Sequence, residues 1–152
     1  MTASRKASPT SLTLRGVRSI AVVGVSGRRT KFGGSAFREL KKRGYEVFAV
    51  HPSMDMFEGV KCYRSLADLP VLPDCALVTI KPRAASPVVG QAVGRGIRTI
   101  WFQQGADFSE AAAQAERAGL KVVKGRCILM YAEPVGGLHR FHRFLSKLFG
   151  KY

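Results

Sequence analysis

The chain has 152 residues, of which 46% are hydrophobic, and its formal net charge is +15. This length suits one ordinary domain with a real core, and the hydrophobic content excludes a disordered chain. No apolar run reaches the roughly 18 residues that a membrane-spanning helix needs, and no apolar segment follows the N-terminus. We therefore expect neither a membrane span nor a secretory signal.

Taken in chain order, the sequence first presents a basic, acid-free segment. Residues 1–17 contain Ser, Thr, Arg and Lys but no Asp or Glu, which predicts a flexible N-terminal tail ahead of a domain spanning residues 18–152. The same composition also suits a transit peptide, and this alternative stays open.

Strands and helices alternate along the rest of the chain. The apolar run that begins at Ser19 predicts a first buried strand, and a helical pattern follows it as far as Gly44. Four more strands, each bounded by Gly, Pro or polar residues, are predicted at Tyr45–Val50, Cys75–Ile80, Ile97–Phe102 and Leu120–Val123. Val60–Tyr63 is a short extended piece. Two further helices begin at Ser86 and Ser109, and Leu138–Leu148 has the pattern of a basic amphipathic helix.

This alternation predicts an α/β domain with a doubly wound, mostly parallel five-stranded sheet and helices on both faces. Ligands of such sheets bind beyond the carboxyl ends of the strands, where the strand order reverses. The loops of interest are therefore 24–34, 51–53, 81–82 and 103–105, and a fifth at 125–127 could join them.

The first of these loops has the chemistry of a phosphate site. The stretch SIAVVGVSGRRTKFGG passes from a strand through Gly24 and Gly27 into a cationic segment, Arg28-Arg29-Thr30-Lys31, and then into a helix. Such a turn leaves backbone N–H groups without partners at a helix N-terminus, where phosphates bind. An ordinary strand–helix turn with solvated charges is the alternative.

Two common nucleotide fingerprints are absent. Ser26 stands where the G-x-G-x-x-G fingerprint has its second glycine, and His51 follows the second strand where a ribose-binding carboxylate is expected. NAD binding is therefore disfavoured, and the chain contains no P-loop motif.

Other candidate groups have weaker support. His139 and His142 lie three residues apart on a predicted helix, but no further ligand stands at helical spacing, so a solvated basic face is the simpler interpretation. Cys127, beside Arg126, is either a reactive thiol or a buried inert one. No Ser–His–Asp order or acid–base carboxylate pair stands out, so catalysis has little support.

Charge and cysteine content bear on partners and compartment. A charge of +15 attracts nucleic acid and small phosphate ligands alike. The C-terminal HRFHRFLSKLFGKY could favour nucleic acid or an anionic membrane surface, although a docked helix is the simpler account. An odd number of widely spaced cysteines indicates a reducing compartment, so we expect a cytoplasmic protein.

The sequence resembles the small stand-alone CoA-binding proteins, whose Rossmann-like domain is similar to the CoA-binding domain of the succinyl-CoA synthetase α subunit. The matching stretches are IAVVGVSGRRTKFGG, RGYEVFAVHP, YRSLADLP, TIWFQQGAD and AGLKVVKGRC, which stand in the family's order.

The resemblance implies a coenzyme A site on the loops named above. By position, the implied binding residues are Gly24, Val25, Ser26, Gly27 and Arg28 along the pyrophosphate and ribose phosphate, Lys31, Phe32 and Gly33 after them, His51 and Pro52, Ile80, Lys81 and Pro82 near the adenine, Gln104, and Arg126. It implies a protein that binds CoA or an acyl-CoA without catalysis of its own. A thiol, redox or acyl-CoA enzyme using Cys127 and a basic nucleic-acid-binding protein remain the alternatives.

The chain departs from the family pattern in two places. His51 replaces a smaller polar residue, which changes the group available for that contact. The basic tail and the Phe- and Arg-rich C-terminal segment exceed the family pattern, which leaves room for a second partner.

Overall fold

The computed structural model describes residues 14–28 and 31–134. The first thirteen residues of the predicted tail, and the C-terminal segment with His139 and His142, lie outside the described residues. Within the described ranges, no helix is long and apolar enough to cross a membrane, and no cluster of three or more His, Cys, Asp or Glu side chains could hold a metal ion.

The described residues form seven strands and three α-helices. The strands are β1 (Ser19–Val23), β2 (Glu46–Val50), β3 (Met56–Phe57), β4 (Val60–Tyr63), β5 (Cys75–Val78), β6 (Thr99–Gln103) and β7 (Lys121–Arg126), and the helices are α1 (Phe32–Lys42), α2 (Ala85–Arg95) and α3 (Ser109–Arg117). Short 3₁₀ turns lie at Leu66–Asp68, Pro82–Ala84 and Ile128–Met130.

One sheet joins all seven strands in the order β3-β4-β2-β1-β5-β6-β7. Every neighbouring pair is parallel except β3 with β4. The chain moves outward from β1 in one direction through β2 and in the other through β5. The strand order therefore reverses between β1 and β5, and the doubly wound α/β class is confirmed.

The predicted count of five strands was too low. The five predicted strands are all present, and the two additional ones are the short β3 and β4, of which β4 coincides with the extended piece expected at Val60–Tyr63. β4 pairs with β2 at two positions only, Ala49↔Cys62 and Val50↔Tyr63, and β3 has two residues. Elements this short do not show the alternation on which a strand prediction depends.

β7 is also longer than predicted. It continues through Gly125 to Arg126, so the predicted loop at 125–127 is largely strand. A register shift between Trp101 and Gln103 places Arg126 beside Gln103. The Trp101 indole donates to the Arg126 carbonyl at 3.0 Å, which fixes this end of the strand.

Both faces of the sheet are covered, as the apolar run of β1 requires. Ile20 and Val22 belong to the core cluster that also contains Phe37 of α1. Ala21 and Val23 belong to the cluster formed with α2 and α3. Because successive residues of a strand face opposite sides, a strand buried on both faces needs a continuous apolar sequence.

A buried arginine ties the chain after β7 to the end of α1. The Arg43 guanidinium donates to the carbonyl oxygens of Leu129 (2.8 Å) and Ala132 (2.6 Å). The Tyr45 hydroxyl donates to the Glu133 carbonyl at 2.9 Å. These bonds attach residues 129–133 to the turn between α1 and β2, so that the chain reaches the amino ends of the strands by Glu133.

Candidate functional site

The turn after β1 depends on a glycine. Gly24 has a φ of +106°, and its N–H donates to the Val50 carbonyl of β2 at 3.0 Å. A Cβ at this position would lie 2.6 Å from the Thr79 hydroxyl oxygen and 2.9 Å from the Ile80 side chain. Both the conformation and the space therefore require glycine, and the turn lies directly against the end of β5.

The start of α1 packs on this turn with no room for side chains. A Cβ on Gly33 would lie 2.1 Å from the Gly24 carbonyl oxygen, and a Cβ on Gly34 would lie 2.4 Å from the Ser26 carbonyl oxygen. Lys31 precedes the helix and makes no side-chain capping bond, and the first turn contains no acidic residue. The positive end of the helix dipole therefore meets the turn without an anionic group of its own.

Three successive amides of the turn have no acceptor. Among the described residues, the N–H groups of Val25, Ser26 and Gly27 donate no hydrogen bond. The next amide, of Arg28, donates to the Ser26 hydroxyl at 3.2 Å. Val25 is buried, Ser26 half-buried and Gly27 exposed. Buried backbone N–H groups are nearly always paired in folded proteins, so a row of unpaired amides that begins at the buried Val25 suits a bound anion.

The predicted cations at this edge have no anionic partner in the described part of the chain. Its three ion pairs use Arg38, Arg43 and Arg64. The four predicted cations, which are all exposed, are Arg28, Lys31, Lys81 and Arg126.

An acidic residue lies on the same edge but is already engaged. Asp107, between β6 and α3, accepts hydrogen bonds from the Ser109 hydroxyl and N–H, and these bonds lower the pKa of its carboxyl group. The described cations of the edge therefore present their charge to solvent.

His51 follows β2 and flanks the glycine turn, because the Gly24 N–H donates to the carbonyl of Val50, the residue before His51. The His51 N–H donates to the Tyr63 carbonyl at 2.9 Å. Its ring Nδ1 accepts a hydrogen bond from the Ser53 N–H at 3.1 Å. A backbone N–H can only donate, so the neutral ring carries its proton on Nε2. The half-buried His51 thus supplies a donor where dinucleotide sites have an acceptor, and the neighbouring Pro52 is exposed.

The loop after β5 packs against the glycine turn. Ile80 is half-buried, Lys81 and Pro82 are exposed, and Pro82 begins a 3₁₀ turn that leads into α2. The Thr79 hydroxyl donates to the Val23 carbonyl at 2.8 Å and lies 3.3 Å from the Gly24 carbonyl oxygen. Sequence reasoning did not select Thr79, because nothing in the local pattern shows this contact with a residue far away in the chain.

At the end of β6, Gln103 belongs to the loop predicted at 103–105 but was not among the implied binding residues. Gln103 is only 7% exposed, and its Oε1 accepts a hydrogen bond from the Ile128 N–H at 3.1 Å. Its amide nitrogen donates to no described group. The predicted Gln104 is exposed, and its N–H donates to the Arg126 carbonyl at 3.2 Å. Trp101 and Gln103 lie two residues apart and therefore on the same face of β6. This spacing could have indicated that the Gln103 amide faces inward.

The structure therefore brings the predicted residues together in two groups. The residues after β1, β2 and β5 are joined by direct hydrogen bonds and packing. Gln104 and Arg126 lie next to each other at β6 and β7. Along the same edge, β6 is two strand spacings, about 10 Å, from β1. Phe32, the first residue of α1, is half-buried against the core.

The three cysteines are buried. Cys127, next to Arg126, is 4% exposed. Burial raises the pKa of the Cys75 thiol to about 12 and also raises that of Cys62. Thiolates are the reactive form, so the environments of Cys62 and Cys75 favour inert thiols.

The fold and the glycine turn are those of the Rossmann-like class of α/β domains. Residues 18–133 match the family model described as a CoA binding domain. The chain belongs to this family, and the resemblance drawn from the sequence is confirmed.

Individual relatives agree with this assignment. The chain is 26% identical over 125 residues to an ADP-forming acetate–CoA ligase of Archaeoglobus fulgidus, covering 80% of this chain and 19% of the ligase. It is 28% identical over 111 residues to the uncharacterized protein YneT of Bacillus subtilis, covering 73% of this chain and 82% of YneT. It spans only 15% to 23% of the length of the first ligases and synthase it matches.

Solved structures include a small protein of similar extent. A conserved hypothetical protein from Pyrococcus furiosus is 37% identical and superimposes with a TM-score of 0.71. The match covers 76% of this chain and 99% of that one.

Proposed function

We propose that this chain binds coenzyme A, or an acyl-CoA, across the carboxyl edge of its sheet and carries out no catalysis of its own. The observation that carries the proposal is the turn after β1. It combines unpaired amides at Val25, Ser26 and Gly27 with an uncapped helix start and the exposed cations Arg28 and Lys31. Backbone donors together with fixed cations suit a diphosphate.

The rest of the edge supports a ligand longer than a diphosphate. The phosphates would lie over residues 24–31 and the adenine against Lys81 and Pro82. His51 adds a donor rather than a carboxylate, which suits a phosphorylated ribose better than the free hydroxyls that NAD presents. CoA carries a 3′-phosphate in addition to its diphosphate, so it matches this set of donors.

The donor groups at β6 and β7 would serve the other end of the ligand. The free N–H bonds of Gln103 need an acceptor oxygen, and an amide or thioester carbonyl of the CoA arm would supply one. The Arg126 side chain stands beside this position in the sheet register. The absence of catalysis is proposed because the described cysteines are buried and the relatives that are ligases extend well beyond this domain.

Charge reversal at the turn tests the proposal. Lys31→Glu and Arg28→Glu should each weaken CoA binding at least tenfold in calorimetry, because a charge-assisted phosphate contact contributes about 1.5–3 kcal/mol. The matched controls are Lys121→Glu and Arg98→Glu, which change the net charge equally at exposed positions near the amino edge.

The two controls distinguish binding at the turn from attraction of CoA by the net charge of the chain. Both should bind CoA as the unsubstituted chain does. Equal losses in all four variants would mean that total charge, rather than this turn, attracts the ligand. Unchanged affinity in the two turn variants would refute the proposed site.

A further inference from the structure

The glycine turn has few bonds of its own. Its N–H groups at Val25, Ser26 and Gly27 donate to no described residue. Before them Gly24 donates to β2, and after them Arg28 donates to the Ser26 hydroxyl. A segment whose amides must stay available for a ligand cannot be ordered by those amides, so its order must come from the buried Val25 side chain and from contacts to its carbonyl groups.

Thr79 supplies such a contact from across the point where the strand order reverses. Its hydroxyl lies 2.8 Å from the Val23 carbonyl oxygen and 3.3 Å from that of Gly24. The C=O and N–H of a trans peptide point in opposite directions. A contact that fixes the Gly24 carbonyl therefore also fixes the direction of the unpaired Val25 N–H.

The hydroxyl is not needed to satisfy the strand. The Val23 carbonyl already accepts a hydrogen bond from the Thr79 N–H at 3.0 Å. Removing only the hydroxyl would therefore leave the β1–β5 ladder paired. It would also remove the shorter bond to the Val23 carbonyl, so its effect falls on the two peptides that flank Gly24 and on the turn that begins there.

We infer that Thr79 is a positioning residue: its hydroxyl holds the turn after β1 in the phosphate-binding conformation and couples it to the loop after β5. This inference rests on the proposed function for its ligand, but the ordering of the turn can be observed without one. Thr79 does not contact the ligand in this scheme; it acts through the Gly24 peptide.

The test compares three substitutions, of which two exchange threonine for valine at nearly constant volume and one removes only a methyl group. Thr79→Val removes the hydroxyl and Thr79→Ser retains it. Thr99→Val makes the same exchange at a buried threonine at the start of β6, near the amino edge. Thr79→Val should bind CoA and ADP about fivefold more weakly, the effect of losing one neutral hydrogen bond. Thr79→Ser and Thr99→Val should bind both within about twofold of the unsubstituted chain.

A second measurement follows the turn itself. In the ligand-free protein, the amide NMR signals of residues 25–27 should broaden or shift in Thr79→Val and keep their positions in Thr79→Ser. Unchanged signals in Thr79→Val, or an equal loss of affinity in Thr99→Val, would overturn the inference. If the unsubstituted chain bound no CoA, the proposed function would fail, and the NMR comparison would still decide whether Thr79 orders the turn.

Discussion

The contact between α1 and the glycine turn predicts a large difference between two glycine-to-alanine substitutions. A Cβ on Gly33 would lie 2.1 Å from the Gly24 carbonyl oxygen, about 1 Å inside the 3.0 Å that real Cβ contacts respect. The obstructing atom belongs to the backbone and cannot rotate away. Overpacking of this kind costs about 3 kcal/mol, and replacing glycine within a helix regains about 1 kcal/mol. Gly33→Ala should therefore lower the free energy of unfolding by about 2 kcal/mol.

Gly90 provides the control, because it lies within α2 and a Cβ there would meet nothing within 4 Å. Gly90→Ala should raise the free energy of unfolding by about 1 kcal/mol, so the two variants should differ by about 3 kcal/mol. Urea unfolding measures both. Since relief of the clash moves α1 off the turn, Gly33→Ala should also bind CoA at least tenfold more weakly. Equal stability of the two variants would refute the proposed close contact.

Two further predictions concern a buried thiol and the end of β6. The folded Cys75 thiol keeps its proton to a pKa of about 12 whereas the unfolded thiol ionises near 9.0. The stability from this group should be constant below about pH 9 and fall by about 1.4 kcal/mol for each pH unit between pH 9.0 and about 12, where the loss ends. Urea unfolding of Cys75→Ala should lack this component, and an unchanged pH slope would contradict it. Gln103→Glu keeps the acceptor for Ile128 but removes the free amide donors, so it should weaken CoA binding about tenfold in calorimetry while leaving ADP binding unchanged. Gln104→Glu, one residue away and exposed, should leave both unchanged, and equal effects of the two substitutions would contradict the role of Gln103.

Most of the fold could be predicted, because a strand that is buried on both faces has a nearly continuous apolar sequence. The runs that became β1 and β5 are nearly continuous apolar segments, and the glycines and prolines between elements show where they end. β7 was harder, since its outer half, Lys124-Gly125-Arg126, is polar and exposed as an edge strand permits. The sequence there looks like a loop because few of its residues are buried.

The candidate site likewise has one part that could be predicted and another that could not. The glycine turn was predictable because adjacent residues supply both the glycines that its backbone conformation requires and the positive charge. The roles of Thr79 and Gln103 were not, since each depends on a partner in a distant part of the chain: the Val23 carbonyl for one, the Ile128 amide for the other. Pairings between strands appear only when the sheet is assembled.

The hydrogen bonds of Arg43 and Tyr45 decide the side of the sheet on which the described chain finishes. Glu133 is held by the Tyr45 hydroxyl, close to the amino ends of the strands and to the edge at which the chain enters β1. The described backbone therefore enters β1 and reaches Glu133 on the side opposite the ligand loops. A small molecule could approach those loops without meeting either of these two connections.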